Sequence, residues 1–339
     1  MQHAPLVETT RGIGLKQHTE NIHFGSVAVV DTKGKLVFSA GDPHFLTFTR
    51  STIKPFQATP LVASGAAKAF ELDSRELALM CSSHSGEDMH VDTVHSIFKK
   101  TGSLEAHLQC GCHVPMYFAS TNQKPPAGSQ WQAIQNNCSG KHAGFLAWCS
   151  YHNKLPSTYL KIDHPLQAAV RKSLSIWCDQ SEDKFLTGID GCSAPNYALP
   201  LSSLALAYAR LADDQGGDVA KQLFGAMTAH PELVSGTNRH DLAFMQTRPN
   251  DWVAKIGADA VQVLGIRSAG LGIAVKVIDG NQRAVIAATI NVLKKLGLLN
   301  ELTVAVSGSE TASPLAQWAQ TDLMNAAGIQ TGCVRAIPL

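Results

Sequence analysis

The sequence predicts an α+β protein of the α/β-sandwich type. In this fold an antiparallel sheet is built from both ends of the chain and covered by helices, with a mainly helical subdomain between. Three observations predict it. β-Branched, apolar runs gather at residues 26–40 and again at 251–280, and amphipathic helical periods fill the chain between them. Strand and helix patterns do not alternate, so a parallel sheet built from βαβ units is not expected. A chain of 339 residues, 45% hydrophobic and 16% charged, can bury one large core or two closely packed subdomains. The expected division is a single domain over 1–339. Residues 1–74 and 231–339 form its sheet-containing part and 75–230 its mainly helical part.

Taken in order, SVAVVDTKGKLVFSA (26–40) reads as a hairpin turning at Asp31–Lys35. STIKPFQATPLVASGAAKAF (51–70) reads as a helix that tolerates Pro55 near its start and is expected to end or kink at Pro60. Asp73-Ser-Arg-Glu76 spells a capping box in front of ELALMC. VDTVHSIFKKTG (91–102) ends in two lysines and a glycine, as helices do. QKPPAGSQ (123–130) is the clearest loop. A helix follows over 139–153, with Asn137–Ser139 as its cap region and Ser139 the expected cap. HPLQAAVRKSLSIWC, LPLSSLALAYARLA and GDVAKQLFGAM are three more amphipathic helices. DWVAKIG, AVQVLGI and GIAVKVIDG read as strands, with Asp279-Gly-Asn281 a hairpin turn into QRAVIA, and AVIAATINVLKKLG closes as a helix.

A net charge of +1 and no block of five like charges argue against nucleic-acid or anionic-membrane partners. The opening MQHAPLVETTRG lacks a basic region followed by an apolar one, and no window holds 18 apolar residues, so a cytoplasmic protein is expected. Eight cysteines in such a chain should be reduced. Cys81, Cys149 and Cys178 lie in apolar helical patterns and read as small buried hydrophobes, and Cys110-Gly-Cys112 reads as structural.

Chemistry concentrates in two places. Ser51-Thr-Ile-Lys54 puts a serine and a lysine on one helical face, where a lysine kept neutral by burial takes the serine proton. The same spacing at Ser96–Lys99 and Ser181–Lys184 falls in a helix C-terminus and in a solvated turn. A Lys-x-Gly on a strand would complete such a site. Lys100-Thr-Gly102 and Lys295-Leu-Gly297 sit at helix ends, whereas Lys255-Ile-Gly257 follows a strand pattern. CSSHSGE (81–87) is expected to be a flexible polar loop, with Ser83 relaying protons between Lys54 and Lys255, and His84 and Glu87 binding a polar substrate. Arg50 and His84 are candidates for a substrate carboxylate, and Glu87 suits an ammonium group. The second place is NNCSGKHAG with GIDGCSAPN. Cys138 and Cys192 suit zinc, and the residue chemistry alone favours His142 or Asp190 as third ligand over Lys141, which ligates only when deprotonated.

RSTIKPFQ, CSSHSGE, NNCSGKHAGFL and GIDGCSAPN, in this order, resemble the Rhizobium etli-type (class 3) L-asparaginases over about residues 20–335. The resemblance implies a fold like the serine β-lactamases and glutaminases, hydrolysis of L-asparagine, and a homodimer. It implies two serine–lysine pairs, Ser51 with Lys54 and Ser83 with Lys255, Lys276 being the runner-up for the last. It also implies zinc held by Cys138, Lys141 and Cys192, with Asp190 in contact through a water. Three other readings stay open: a serine β-lactamase or peptidase, a zinc-binding sensor, and a cysteine hydrolase using Cys138 with His142.

Overall fold

The computed structural model describes residues 2–14, 16–213, 217–299 and 313–339. Among these residues eleven strands form two sheets: Ala4–Ile13 (β1), Lys16–Asp31 (β2), Leu36–Ala40 (β3), Leu46–Phe48 (β4), Leu186–Ile189 (β5), Pro195–Pro200 (β6), Trp252–Gly257 (β7), Val261–Ile266 (β8), Leu271–Val277 (β9), Gln320–Met324 (β10) and Gln330–Ala336 (β11). The large sheet is antiparallel in the order β10-β11-β1-β2-β9-β8-β7, with β3 also paired to β2. The small sheet runs β4-β6-β5. The expected α+β class, with a sheet drawn from both chain ends, is what forms.

All residues of β7 and β8 are buried, which is why these strands are apolar on both faces apart from Lys255 and Gln262. Helices supply the cover. Leu201–Ala212 packs on β2, β8 and β9, and Gln282–Lys295 packs on β1, β8, β9 and β11. Two glycines paired across β8 and β9, Gly265 and Gly272, set how closely the first helix lies. A Cβ on Gly272 would come within 1.8 Å of the Ala205 carbonyl oxygen, and one on Gly265 within 2.4 Å of that of Tyr208. Leu201–Ala212 thus packs on the large sheet although it falls within the stretch read as the helical middle.

Local signals hold in several places. Asp73 accepts from the backbone of Arg75 and Glu76 while Glu76 accepts from that of Asp73, completing the capping box. Gly102 ends the Asp88–Thr101 helix with φ +67°. Pro60 falls in the Lys54–Ala63 helix, which ends three residues later. Cys81, Cys149 and Cys178 are buried, and burial pushes each thiol up to about 12.

Three expectations fail. Asp279–Asn281 does not open a hairpin: the Asn281 side chain accepts from Ala284 N at 3.0 Å and caps the Gln282–Lys295 helix, so QRAVIA is helical. Ser139 does not cap its helix. Cys138 occupies the cap position, and Ser139 Oγ lies 2.9 Å from His84 Nε2. The CSSHSGE segment is not a flexible polar loop, because Cys81 through Ser85 are all buried. It is fixed by Ser83 N to Val234 O at 3.0 Å and His84 N to Asn137 O at 3.1 Å.

Candidate active site

The Ser51 turn is held from two sides. Arg50 has a left-handed backbone, φ +51°, costly for a side chain of its size. Asn196, on β6, offsets this by gripping both its backbone groups: Oδ1 accepts from Arg50 N, and Nδ2 donates to Arg50 O, each at 3.1 Å. Tyr208 Oη donates to Thr52 O at 2.7 Å, and Thr52 Oγ1 to Thr49 O at 2.6 Å. On the other side Gly257 of β7 comes so close that a Cβ would meet Thr49 O at 3.0 Å and Arg50 Cβ at 3.1 Å. The Lys-x-Gly on this strand therefore lies against the Ser-x-x-Lys turn.

Ser51 and Ser83 line one cleft of about 370 Å³, together with Met116, Asn137, Arg239, His240, Ile256 and Trp318. Lys54 is fully buried beneath it. Its Nζ donates to Ser83 Oγ at 3.0 Å, to Ser82 O, and to Asn137 O at 3.4 Å. Lys255 is equally buried. Its Nζ donates to Ile256 O at 2.9 Å and sits 3.6 Å from Asp241 Oδ2. Burial, with the cations Lys54 and Arg239 nearby, lowers its pKa to about 7 despite Asp241. Asp241 is held below its ordinary value: burial works against this, but Lys255, His240, the Ile256 N–H and Gln262 outweigh it. Lys276 lies apart, donating to the Asp259 carbonyl at 2.6 Å.

The three residues expected to bind substrate are engaged elsewhere. Arg50 bridges Asp190, at 2.8 Å, and Asp259. His84 is buried between Ser139 and the Gly86 N–H. The Glu87 carboxylate takes both the N–H and the hydroxyl of Thr237. Arg239, His240, Asp241 and Asn196 were not singled out in the sequence. A dense Arg-His-Asp run opening a helix, in an otherwise charge-poor chain, was the signal that could have found the first three.

The cysteine cluster is a separate buried group. Cys138, Lys141 and Cys192 are 4%, 3% and 3% exposed, and Lys141 Nζ donates to Cys192 Sγ at 2.8 Å. The Cys138 thiol donates to Cys192, driving Cys192 far below the ordinary thiol value despite burial, with Lys141 and His142 reinforcing the shift. Cys138 is driven up in turn. Burial works against the Lys141 ammonium, but the two sulfurs and Asp190 more than offset it and raise its pKa. His142 Nδ1 lies 2.6 Å from Tyr159 Oη, and the Cys192 sulfur beside the ring favours its charged form against burial. Among the described residues no three His, Cys, Asp or Glu side chains gather as a metal cluster.

A helix-covered antiparallel sheet beside a cleft that carries two serines over buried lysines fits a hydrolase of small molecules. The L-asparaginase II family profile matches residues 7–336, and the chain belongs to that family, the one its four motifs resemble. Membership of that family supports an amidohydrolase and implies a small-molecule amide as substrate. No curated relative matches the sequence. Among solved structures, Mglu in its native form is similar at a TM-score of 0.45 and 15% identity, over 84% of this chain and 66% of that one. A putative β-lactamase from Bacteroides dorei gives 0.42 and 9%, over 80% and 93%. A β-lactamase from Mycobacterium bovis gives 0.38 and 12%, over 80% and 94%. The chain thus spans just under two thirds of the length of Mglu. Likeness at this level says nothing about activity. Among the described residues no helix is long and apolar enough to cross a membrane.

Proposed function

We propose that this amidohydrolase converts L-asparagine to L-aspartate and ammonia, with Ser51 as nucleophile. The observation that carries the reading is the convergence of Ser51 and Ser83 on one cleft, with Lys54 Nζ 3.0 Å from the Ser83 hydroxyl. The Ser51 oxygen attacks the side-chain amide carbon and gives up its proton. A serine–lysine relay of Lys54, Ser83 and Lys255 takes that proton and returns it to the departing nitrogen as the C–N bond breaks. Water then hydrolyses the ester and frees Ser51. Lys54 has three acceptors around Nζ, the pattern an ammonium satisfies with its three donors. Lys255, at about 7, is the better base. Its burial beside Asp241 supports it over Lys276 as the second lysine.

We further read Cys138, Lys141 and Cys192 as the residues that hold zinc, with Asp190 beside them. Two buried sulfurs suit a soft divalent ion, and the charge of such an ion would offset the cost of holding Lys141 in the neutral form that ligates. Zinc held there would balance the thiolate charge and supply a Lewis acid to that cluster.

Ammonia release from L-asparagine and L-glutamine, measured with and without a chelator, tests the reading. Ser51→Ala is expected to lower the asparagine rate by about 10³-fold or more, the scale on which covalent catalysis fails without its nucleophile. Full activity in that variant would sink the assignment.

A further inference from the structure

The cleft contains a cation that none of these roles uses. Arg239 is 8% exposed and lines the same cleft as Ser51 and Ser83. Its one side-chain hydrogen bond among the described residues runs from Nη1 to the Met116 thioether at 3.3 Å. A thioether is a weak acceptor, so most of the five guanidinium donors are left for another group. The nearby carboxylates are committed elsewhere. Asp241 serves Lys255, the Ile256 N–H and Gln262, and Glu87 holds Thr237. Burial presses the Arg239 pKa down, with Asp241 and Glu87 acting against it.

His240, the next residue, also lines the cleft and is 8% exposed, with its Nε2 buried, 3.9 Å from Asp241 Oδ1 and without a hydrogen bond. A buried cation beside an unsatisfied imidazole is costly unless something completes it. A substrate carboxylate does so: it accepts the guanidinium fork in two parallel hydrogen bonds and one more from an imidazole N–H. Arg50, by contrast, already has two carboxylates. The clamp is also well placed. Glu87 fixes Thr237, two residues before Arg239, so the loop that carries Ser83 holds the segment that carries the guanidinium.

We propose that Arg239, assisted by His240, binds the α-carboxylate of the substrate and so restricts the cleft to free amino acids; this rests on the amidohydrolase reading above. Met116, Ile256 and Trp318 then enclose the aliphatic carbons.

The test compares L-asparagine with its α-methylamide, which keeps the scissile amide but has no α-carboxylate. Measured well above pH 7, where the loss of the Arg239 charge no longer changes the protonation of Lys255, Arg239→Met is expected to lower kcat/KM for L-asparagine about 100-fold, mainly through KM, and to lower the poor methylamide rate at least tenfold less. Arg239→Lys keeps the charge but loses the fork, and should recover about tenfold of that loss. Equal losses on both compounds, or no loss on either, overturn the proposal. Calorimetric titration with L-aspartate separates it from the activity itself. If the wild-type protein releases no ammonia from any amide, the hydrolase reading fails, yet binding still decides the subsite. Wild-type binding that weakens about 30-fold in Arg239→Met, and less in Arg239→Lys, supports it. No binding by the wild type, or equal binding by wild type and Arg239→Lys, overturns it, even if the methionine variant does not fold.

Discussion

Lys141 and Lys255 are both lysines and both buried, yet they are pushed in opposite directions. Around Lys255 burial prevails. Its one close anion, Asp241, is opposed by Lys54 and Arg239, and the amine falls to about 7. Around Lys141 the Cys192 and Cys138 sulfurs and Asp190 outweigh the same burial, and the ammonium is favoured. Depth alone therefore does not decide whether a lysine is an acid or a base; the sign of its neighbours does. The fold separates a lysine suited to giving up its proton from one that holds a thiolate.

The contrast breaks first at Lys255. Lys255→Met should cut kcat for asparagine by about 10³-fold, within the range for loss of a general base. A variant within tenfold of wild type would show that the neutral lysine does no chemistry. The wild-type rate should rise as pH climbs through about 7, because deprotonation makes Lys255 a base.

Next in size is an effect of the same burial on stability. His84 is driven well below 6.5 and His240 to about 4, burial being the first cause in both. The unfolded chain takes up protons near 6.5 while the folded one does not. Their contribution is complete above pH 6.5 and is lost as pH falls toward 4, by about 1.4 kcal/mol per pH unit for each histidine. Urea titrations at pH 7 and 5 read it, and equal midpoints would contradict it.

Asp241→Asn removes the anion that holds the Lys255 pKa up. The acid limb of the rate should move down by about one pH unit, the usual effect of one opposite charge nearby. A limb that stays put would mean that another group sets it. Smallest is the reverse test at the other lysine. In metal-free protein one thiolate, Cys192, should persist in acid, and Lys141→Met should move its titration up by about one unit. Thiolate absorbance measures it, and an unmoved titration would leave Cys138 and His142 as the cause.

The sequence made the sheet, the capping box and the buried cysteines legible because each depends on neighbours within a few residues. It also singled out Lys255-Ile-Gly257 over the better-spelled Lys100-Thr-Gly102 and over Lys295-Leu-Gly297, since only that one followed a strand pattern. What it hid was long-range. Asn196 acts on Arg50 from 146 positions away, and no period or spacing marks such a contact. Arg50 looked free for a substrate until Asp190 and Asp259 were brought against it. CSSHSGE looked like an exposed turn because its polarity is satisfied by Val234, Asn137 and Ser139, all distant in sequence. Asn281 misled differently: Asp-Gly-Asn suits a hairpin and a helix cap equally well, and only the partner strand decides.

Asp190, Cys192 and Asn196 lie within seven consecutive residues, and the three have different tasks. Asp190 holds the Arg50 side chain, Cys192 belongs to the thiolate pair, and Asn196 holds the Arg50 backbone beside Ser51. One short length of chain is thus a shared lever between the sulfur cluster and the serine turn. A ligand that tightens one end must change the affinity of the other by the same factor in return.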